Sequence, residues 1–189
     1  MNNSHLLRRK QFYENLNVGE CLILFAGSAP RKTADASYPF FANRNFFYLT
    51  GITQSNSVFM AVNKGGEIEE TLFIHKKDPM AERWNGYRIS REEATEDSGI
   101  KTVSDVEAFE PALKVLLNSG AISALWYDFD KFDADHMDAP QNQHSERIRS
   151  TSPSVTLKNA YPIICAARTI KDAGEIAHIR EALVITRDG

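Results

Sequence analysis

Short apolar runs that alternate with helical patterns constrain the fold of this chain more than any other feature. Residues 21–27 (CLILFAG) form a continuous apolar run closed by a glycine, which is typical of a buried strand. Two further runs, 57–62 and 70–75, flank Gly65-Gly66 and predict a β-hairpin. The segments ALWYDFD and SVTLK predict two more strands. Because helical patterns separate most of these strands, the sequence predicts a layered α/β domain.

The first helical pattern covers residues 4–17, and Gly19 stands just beyond its end. Its expected buried side consists of Leu6, Leu7, Tyr13 and Leu16.

Two shorter helices have clear start and stop signals. Asn43 or Asn45 is expected to cap a helical turn that ends at Gly51. The spacing of Ser90 and Glu93 is that of a capping box, which predicts the start of another helix.

Composition excludes several classes of protein. With 189 residues, 42% of them hydrophobic, the chain can bury a core. A net charge of −3 gives no electrostatic reason to bind nucleic acid or anionic membranes. No apolar run approaches the length of a membrane span, and the N-terminus has no apolar signal core. Cys21 and Cys165 lie in apolar runs and are expected to be buried free thiols rather than a disulfide or metal pair, so the prediction is a cytoplasmic protein.

The sequence contains no convincing catalytic or metal-binding motif. The acidic stretch DFDKFDADHMD resembles a calcium loop in composition, but Phe132 falls at a ligand position and Asp133 stands where the glycine is needed. A solvated loop is therefore expected there. The five histidines have no partner at metal-ligand spacing and are interpreted as surface or structural residues. No catalytic residue and no metal ligand is predicted within this chain.

Two aromatic clusters are candidates for recognition. In YPFFANRNFFYLTGI, the four residues 46–49 are expected to fill the core, whereas Arg44 would need a partner carboxylate if it were buried. In RWNGYR, Trp84 and Arg88 form a candidate recognition loop, because tryptophan and arginine are favoured at binding hot spots. The alternative is a loop folded over the sheet edge.

The last pattern is an amphipathic helix. Asp172 and Glu175 have capping-box spacing, and Ile176, Ile179 and Leu183 form one apolar stripe behind them. The stripe either packs back on the same domain or begins a second one.

Taken in order, three segments resemble one family. YPFFANRNFFYLTGI is similar to the Tyr-x-Phe-Arg-x-x-x-x-Phe-x-Tyr-Leu-Thr-Gly segment in the amino-terminal domain of Xaa-Pro aminopeptidases, prolidases and creatinases. ETLFIHKKDPMAERWNGYR resembles that family's strand and Trp-x-Gly-x-Arg loop, and RTIKDAGEIAHIREALVIT resembles its linker and following helix. Aminopeptidase P is the most similar subfamily. Phe41-Ala42 departs from the usual Arg-Gln, and Ala173 replaces a frequent proline.

The resemblance implies a mixed sheet flanked by helices in a ribonuclease-H-like arrangement. Residues 1–165 would be the amino-terminal domain, and 166–189 the linker and first helix of a carboxy-terminal pita-bread domain. In the family that domain holds two manganese ions and hydrolyses the bond between an amino-terminal residue and proline.

The same resemblance implies partners for the parent protein and a role for this part of it. The parent would act on proline-containing peptides and form a homodimer or homotetramer, and this part would be non-catalytic. Trp84, Arg88 and Arg44 are the candidates for substrate or subunit contact. A stand-alone peptide-binding module and a creatinase- or prolidase-type parent remain alternatives.

Overall fold

A single mixed sheet organises the computed structural model, which describes residues 3–130 and 139–189. Its order is β4-β3-β2-β1-β5-β6. The strands are β1 Glu20–Phe25, β2 Val58–Lys64, β3 Glu67–Ile74, β4 Val103–Asp105, β5 Ala124–Tyr127 and β6 Thr156–Asn159. The β1–β2 and β2–β3 pairs are antiparallel, whereas β1–β5, β3–β4 and β5–β6 are parallel. The α/β prediction and the mixed sheet are confirmed.

Helices cover both faces of this sheet. The described α-helices are α1 Asn3–Tyr13, α2 Arg44–Thr50, α3 Pro79–Asn85, α4 Arg91–Ser98, α5 Phe109–Asn118, α6 Pro140–Thr151, α7 Tyr161–Thr169 and α8 Ala173–Asp188, of which α3 and α8 bury no residue. We call the two sides the α1 face, packed by α1, α2, α4 and α7, and the α5 face, packed by α5 and α6. In β1, Leu22 and Leu24 point to the α1 face and Cys21 and Ile23 to the α5 face. Burial on both sides explains why this strand is a continuous apolar run.

Local signals produced the predicted turns and caps. The Asn43 side chain accepts hydrogen bonds from the amides of Asn45 and Phe46 and caps α2, which ends at Gly51 in the left-handed region. The hairpin turns through Gly65 and Gly66, both with positive φ. The capping box predicted from Ser90 and Glu93 is present at the start of α4.

The first helix differs from its prediction. It ends at Tyr13 rather than at residue 17, and Leu7 is 59% exposed. Leu16 is buried as predicted, and Leu6 and Tyr13 are half-buried. The buried residues of the helix are His5, Arg9 and Phe12, at four- and three-residue spacing. A charged residue can occupy this stripe because its partners come from distant segments, and a sequence pattern does not contain them.

Arg9 is buried with a full set of partners, which we call the Arg9 cluster. Its guanidinium donates to the Glu70 carboxylate at 2.8 Å and to the carbonyl oxygens of Leu49 at 2.8 Å and Ser98 at 3.0 Å. The Tyr13 hydroxyl also donates to Glu70, at 2.6 Å. Hydrogen bonds and a counter-charge together make such burial tolerable.

The α5 face buries a histidine instead, in what we call the His144 cluster. The Nδ1 atom of His144 lies 2.7 Å from the Tyr127 hydroxyl, and the ring packs beside Phe25 and Phe109. Its Nε2 atom makes no hydrogen bond to any described residue and lies 3.5 Å from the Glu110 carboxylate. Burial lowers the pKa of His144 to about 4, so the ring is neutral at pH 7.

Besides Leu7, two expected burials are wrong. Phe46, Tyr48 and Leu49 are in the core as predicted, but Phe47 is 37% exposed. Of the two free thiols, Cys21 is buried and Cys165 is only half-buried. Most of the segment tested for calcium, 131–138, lies outside the described residues.

The last helix has the predicted capping box, but no other segment of the described chain buries its apolar stripe. None of its residues is buried, and Ile176, Ile179 and Leu183 are 40%, 47% and 63% exposed. The alternative in which this stripe packs back on the same domain is therefore wrong.

Candidate functional site

Trp84 and Arg88 line one cavity of about 700 Å³, which we call the α3 cavity. Its walls include Tyr38 and Phe40 from the loop after β1 and His75 from the end of β3. Helix α3 forms one rim. It begins at Pro79, after the Asp78 carboxylate accepts hydrogen bonds from the amides of Met80 and Ala81.

The structure corrects the interpretation of RWNGYR as a loop. Trp84 lies in the last turn of α3 and is 82% exposed, and Gly86, with φ of 86°, caps the helix after Asn85. Positive φ favours glycine at this position. Arg88 then turns back, because its guanidinium donates to the carbonyl oxygen of Lys76 at 2.9 Å and its amide donates to Glu82 at 3.1 Å.

A chain of polar contacts fixes the other rim. The Lys77 ammonium lies 4.4 Å from the centre of the Tyr87 ring, and the Tyr87 hydroxyl donates to the Glu93 carboxylate. That carboxylate also accepts from the Ser90 amide as part of the α4 cap. The hydrogen bond to Glu93 raises the pKa of Tyr87, so the phenol stays protonated at neutral pH.

Arg44 belongs to a different cavity, of about 340 Å³, which we call the α8 cavity. The side chain is exposed, and its guanidinium lies 5.7 Å from the centre of the Phe41 ring. The same cavity is lined by His5, Arg8 and Arg168. The three candidate residues thus line two separate cavities, with Trp84 and Arg88 sharing one.

Sequence reasoning named Arg44 as a candidate but did not name as candidates the two other arginines of the α8 cavity, Arg8 and Arg168. The Arg8 guanidinium contacts the Asp172 carboxylate at 2.7 Å. The Arg168 guanidinium donates to Asn45 at 2.6 Å, and Asn45 in turn donates to the buried Asp128 at 2.8 Å. Arg168 was visible in the sequence as a residue of the family-like linker, whereas nothing in the pattern of α1 distinguishes Arg8 from its neighbours.

The groups that line these cavities suit recognition. The α3 cavity offers exposed aromatic rings, a guanidinium and hydroxyl groups, which suit contact with a peptide or another protein surface. Within residues 3–130 and 139–189, no group of three or more His, Cys, Asp or Glu side chains could hold a metal ion. None of the described helices is both long enough and apolar enough to cross a membrane.

Comparison with protein families decides the relationship. Residues 5–126 match the family model for the aminopeptidase P amino-terminal domain, which is more than half of the chain. The chain belongs to this family.

Individual relatives of this aminopeptidase P amino-terminal domain support the same family assignment. It is 26% identical over 186 residues to the Xaa-Pro aminopeptidase of Escherichia coli, a match that covers 95% of this chain and 41% of that protein. An aminopeptidase P structure from Bacillus anthracis superposes with a TM-score of 0.93 at 37% identity, over 98% of this chain and 44% of that one. A zinc-substituted E. coli aminopeptidase P in complex with product has a TM-score of 0.79 at 22% identity over 96% of this chain and 42% of that one, which shows the fold alone. The chain spans less than half the length of each of these relatives.

Proposed function

We propose that this chain is the non-catalytic amino-terminal domain of an Xaa-Pro aminopeptidase. The parent enzyme would hydrolyse the bond between an amino-terminal residue and a following proline. The observation that carries the proposal is the family match over residues 5–126, together with the partial coverage of peptidases that are more than twice as long.

The proposal assigns different roles to the two parts of the chain. In this proposal residues 1–165 are the amino-terminal domain, and 166–189 lead into a carboxy-terminal domain that holds two manganese ions and supplies the hydrolytic chemistry. The exposed stripe of Ile176, Ile179 and Leu183 would be covered by that domain. Burying a stripe of this size is favourable, since each fully buried side chain of this type contributes about 2 kcal/mol.

Within the parent, the α3 cavity would shape access for proline-containing peptides or contact a second subunit of a dimer or tetramer. Trp84 supports this role because it exposes a large ring on a short helix whose ends are both fixed. Arg88 supports it because its backbone and side chain are held by Glu82 and Lys76. Arg44, at the other cavity, would act near the junction with α8.

The coding sequence beyond the codon of Gly189 is the first test. A continuation about as long again as this chain, with two Asp, one His and two Glu as metal ligands, supports the proposal. A stop codon at that point contradicts it.

The second test uses the purified chain. Without the metal-binding domain, it should not cleave an Xaa-Pro peptide in the presence of manganese. Turnover that co-purifies with the chain and is lost in a Trp84→Ala variant would contradict the assignment as non-catalytic.

A peptide-binding module is the second candidate, and the exposure of Trp84 and Tyr87 favours it. In that case the isolated chain binds a proline-containing peptide, and tryptophan fluorescence changes on titration. Trp84→Phe should remove the signal, whereas Trp126→Phe should leave the binding-dependent part unchanged, because Trp126 packs against the core on the α1 face and does not line the α3 cavity.

A further inference from the structure

The direction of α8 needs an explanation, because apolar packing does not provide one. No residue of this helix is buried against the domain. A helix held only by a flexible connection would sample many orientations. The contacts that hold it are polar and lie at its first turn and in the segment just before it.

Arg8 makes the contacts with that first turn. Its side chain is 12% exposed, and Nη2 lies 2.7 Å from Asp172 Oδ2 and 3.5 Å from Glu175 Oε2. The guanidinium also stacks on the Tyr48 ring, 4.2 Å from the ring centre, and Nη1 is 3.4 Å from the Tyr48 carbonyl oxygen. A planar guanidinium can make an ion pair and a stacking contact at once, which an ammonium group cannot do equally well.

The two carboxylates serve the helix independently of Arg8. Asp172 accepts from the Glu175 amide at 2.8 Å, and Glu175 accepts from the Asp172 amide at 3.0 Å. The Glu175 amide and then Arg8 lower the pKa of Asp172, so this carboxyl is ionised at neutral pH. If α8 swung away as a unit, its cap would remain intact, but Arg8 would be left largely buried without a counter-charge. That penalty opposes changes in orientation and does not depend on helix formation.

A second set of contacts fixes the segment before the helix. The Tyr48 hydroxyl donates to the Ala167 carbonyl oxygen at 3.2 Å, and Arg168 donates to Asn45. Tyr48 and Asn45 are both in α2, and Tyr48 is also the residue on which Arg8 stacks. One helix of the core therefore supports the approach to α8 and the arginine that holds its start.

We propose that Arg8 is a positioning residue that sets the direction in which α8 leaves the domain, and so aims its apolar stripe away from the α1 face. The inference rests on contacts within this chain and holds whether or not the proposed peptidase function is correct. Arg8 would direct the helix through two ion pairs at its first turn rather than through apolar packing.

Spin labels test the orientation directly. One label is placed at Glu67→Cys on the hairpin and one at Ala182→Cys on α8, with Cys165→Ala removing the accessible native thiol; Cys21 is fully buried and does not react. With Arg8 present, the two labels should give one narrow distribution of distances. Arg8→Gln should broaden it, and the matched control Arg180→Gln, which alters an exposed arginine on α8 itself, should leave it narrow.

A second variant distinguishes loss of the ion pairs from misfolding caused by the change at Arg8. Asp172→Asn with Glu175→Gln removes both charges but keeps side chains able to cap a helix. It should broaden the distribution as Arg8→Gln does, and it should accelerate amide hydrogen exchange in the first turn of α8 by about tenfold, the loss expected for one charged hydrogen bond. Exchange in β1 should not change in either variant. A narrow distribution in this double variant, with β1 protection intact, overturns the proposal.

Discussion

The two faces of the sheet bury a basic side chain under opposite conditions. On the α1 face, Arg9 stays charged and is matched by Glu70 and two carbonyl oxygens. On the α5 face, His144 is surrounded by aromatic rings and stays neutral, with one ring nitrogen lacking a hydrogen bond among the described residues. Arginine cannot lose its proton in a protein, so it requires partners, whereas histidine can adapt by deprotonation. The comparison predicts that charge removal destabilises the first face and acidification the second.

The largest effect is expected from Arg9→Met. The substitution removes the Arg9 donor from the two carbonyl oxygens and the counter-charge from Glu70, which keeps only its hydrogen bond from Tyr13 among the contacts of the cluster. Breaking a buried pair costs about 3–5 kcal/mol. Urea unfolding followed by circular dichroism measures the change. The control Arg149→Met, at an exposed arginine paired with Glu146, should cost less than about 1 kcal/mol. Equal midpoints for the two variants would show that the Arg9 cluster does not stabilise the fold.

Acidification should act through His144. Its pKa is lowered from 6.5 to about 4 in the folded chain, so the unfolded chain binds more protons between these values. The contribution to stability is present in full above pH 6.5 and is lost as pH falls towards 4, by about 3 kcal/mol in total. His5, with a pKa also lowered chiefly by burial, adds to the loss in the same direction.

The variant His144→Leu separates these contributions. It should flatten the dependence of the unfolding free energy on pH between 4 and 6.5, whereas His178→Leu, at an exposed histidine, should leave the slope as it was. A full slope in His144→Leu would place the titrating group elsewhere.

A smaller loss of unfolding free energy is expected from Glu70→Gln. This variant separates the role of charge from that of hydrogen bonds in the Arg9 cluster. The amide keeps an acceptor for Tyr13 and Arg9 but removes the charge, so the loss should be about 2 kcal/mol, less than for Arg9→Met. Glu69→Gln is the matched control, because Glu69 is exposed and pairs with the exposed Lys64 on the same hairpin. If Glu70→Gln costs as much as Arg9→Met, charge rather than the hydrogen-bond pattern dominates the cluster.

The smallest effect is expected outside both faces, at Trp84→Ala. The ring is largely exposed, so the unfolding free energy should change by less than about 0.5 kcal/mol. Thermal unfolding measures it. A loss of several kcal/mol would mean that the ring packs against the domain, and the α3 cavity would then lose its main candidate for recognition.

Signals that act over a few residues were sufficient to predict many local elements from the sequence. The Gly65-Gly66 hairpin, the Asn43 cap and both capping boxes depend on backbone geometry within one turn, and all were predicted. Helix α3 was missed because the segment around Trp84 is short and polar, and its start depends on Asp78 and Pro79. The buried side of α1 was predicted only in part: Leu7 is exposed, and the buried His5 and Arg9 were missed because periodicity alone assigns arginine and histidine to the surface.

In the candidate site, too, contacts between residues close in sequence were predictable and contacts between distant residues were not. Trp84 and Arg88 are close in sequence, so their meeting at one cavity required only a short helix and a glycine. Arg8 and Asp172 are far apart in sequence, and their contact arises only when α1 and the end of α7 lie side by side. No pattern within either segment encodes that contact.

The place of β1 in the sheet also affects how the chain is made. Its neighbour β2 follows soon after it, but its other neighbour pairs Glu20 with Ala124, so that partner leaves the ribosome much later. Until then, an apolar strand meant for the centre of the sheet presents one open edge, the arrangement most prone to pairing with another chain. A nascent chain that stops before β5 therefore keeps this edge of β1 unpaired.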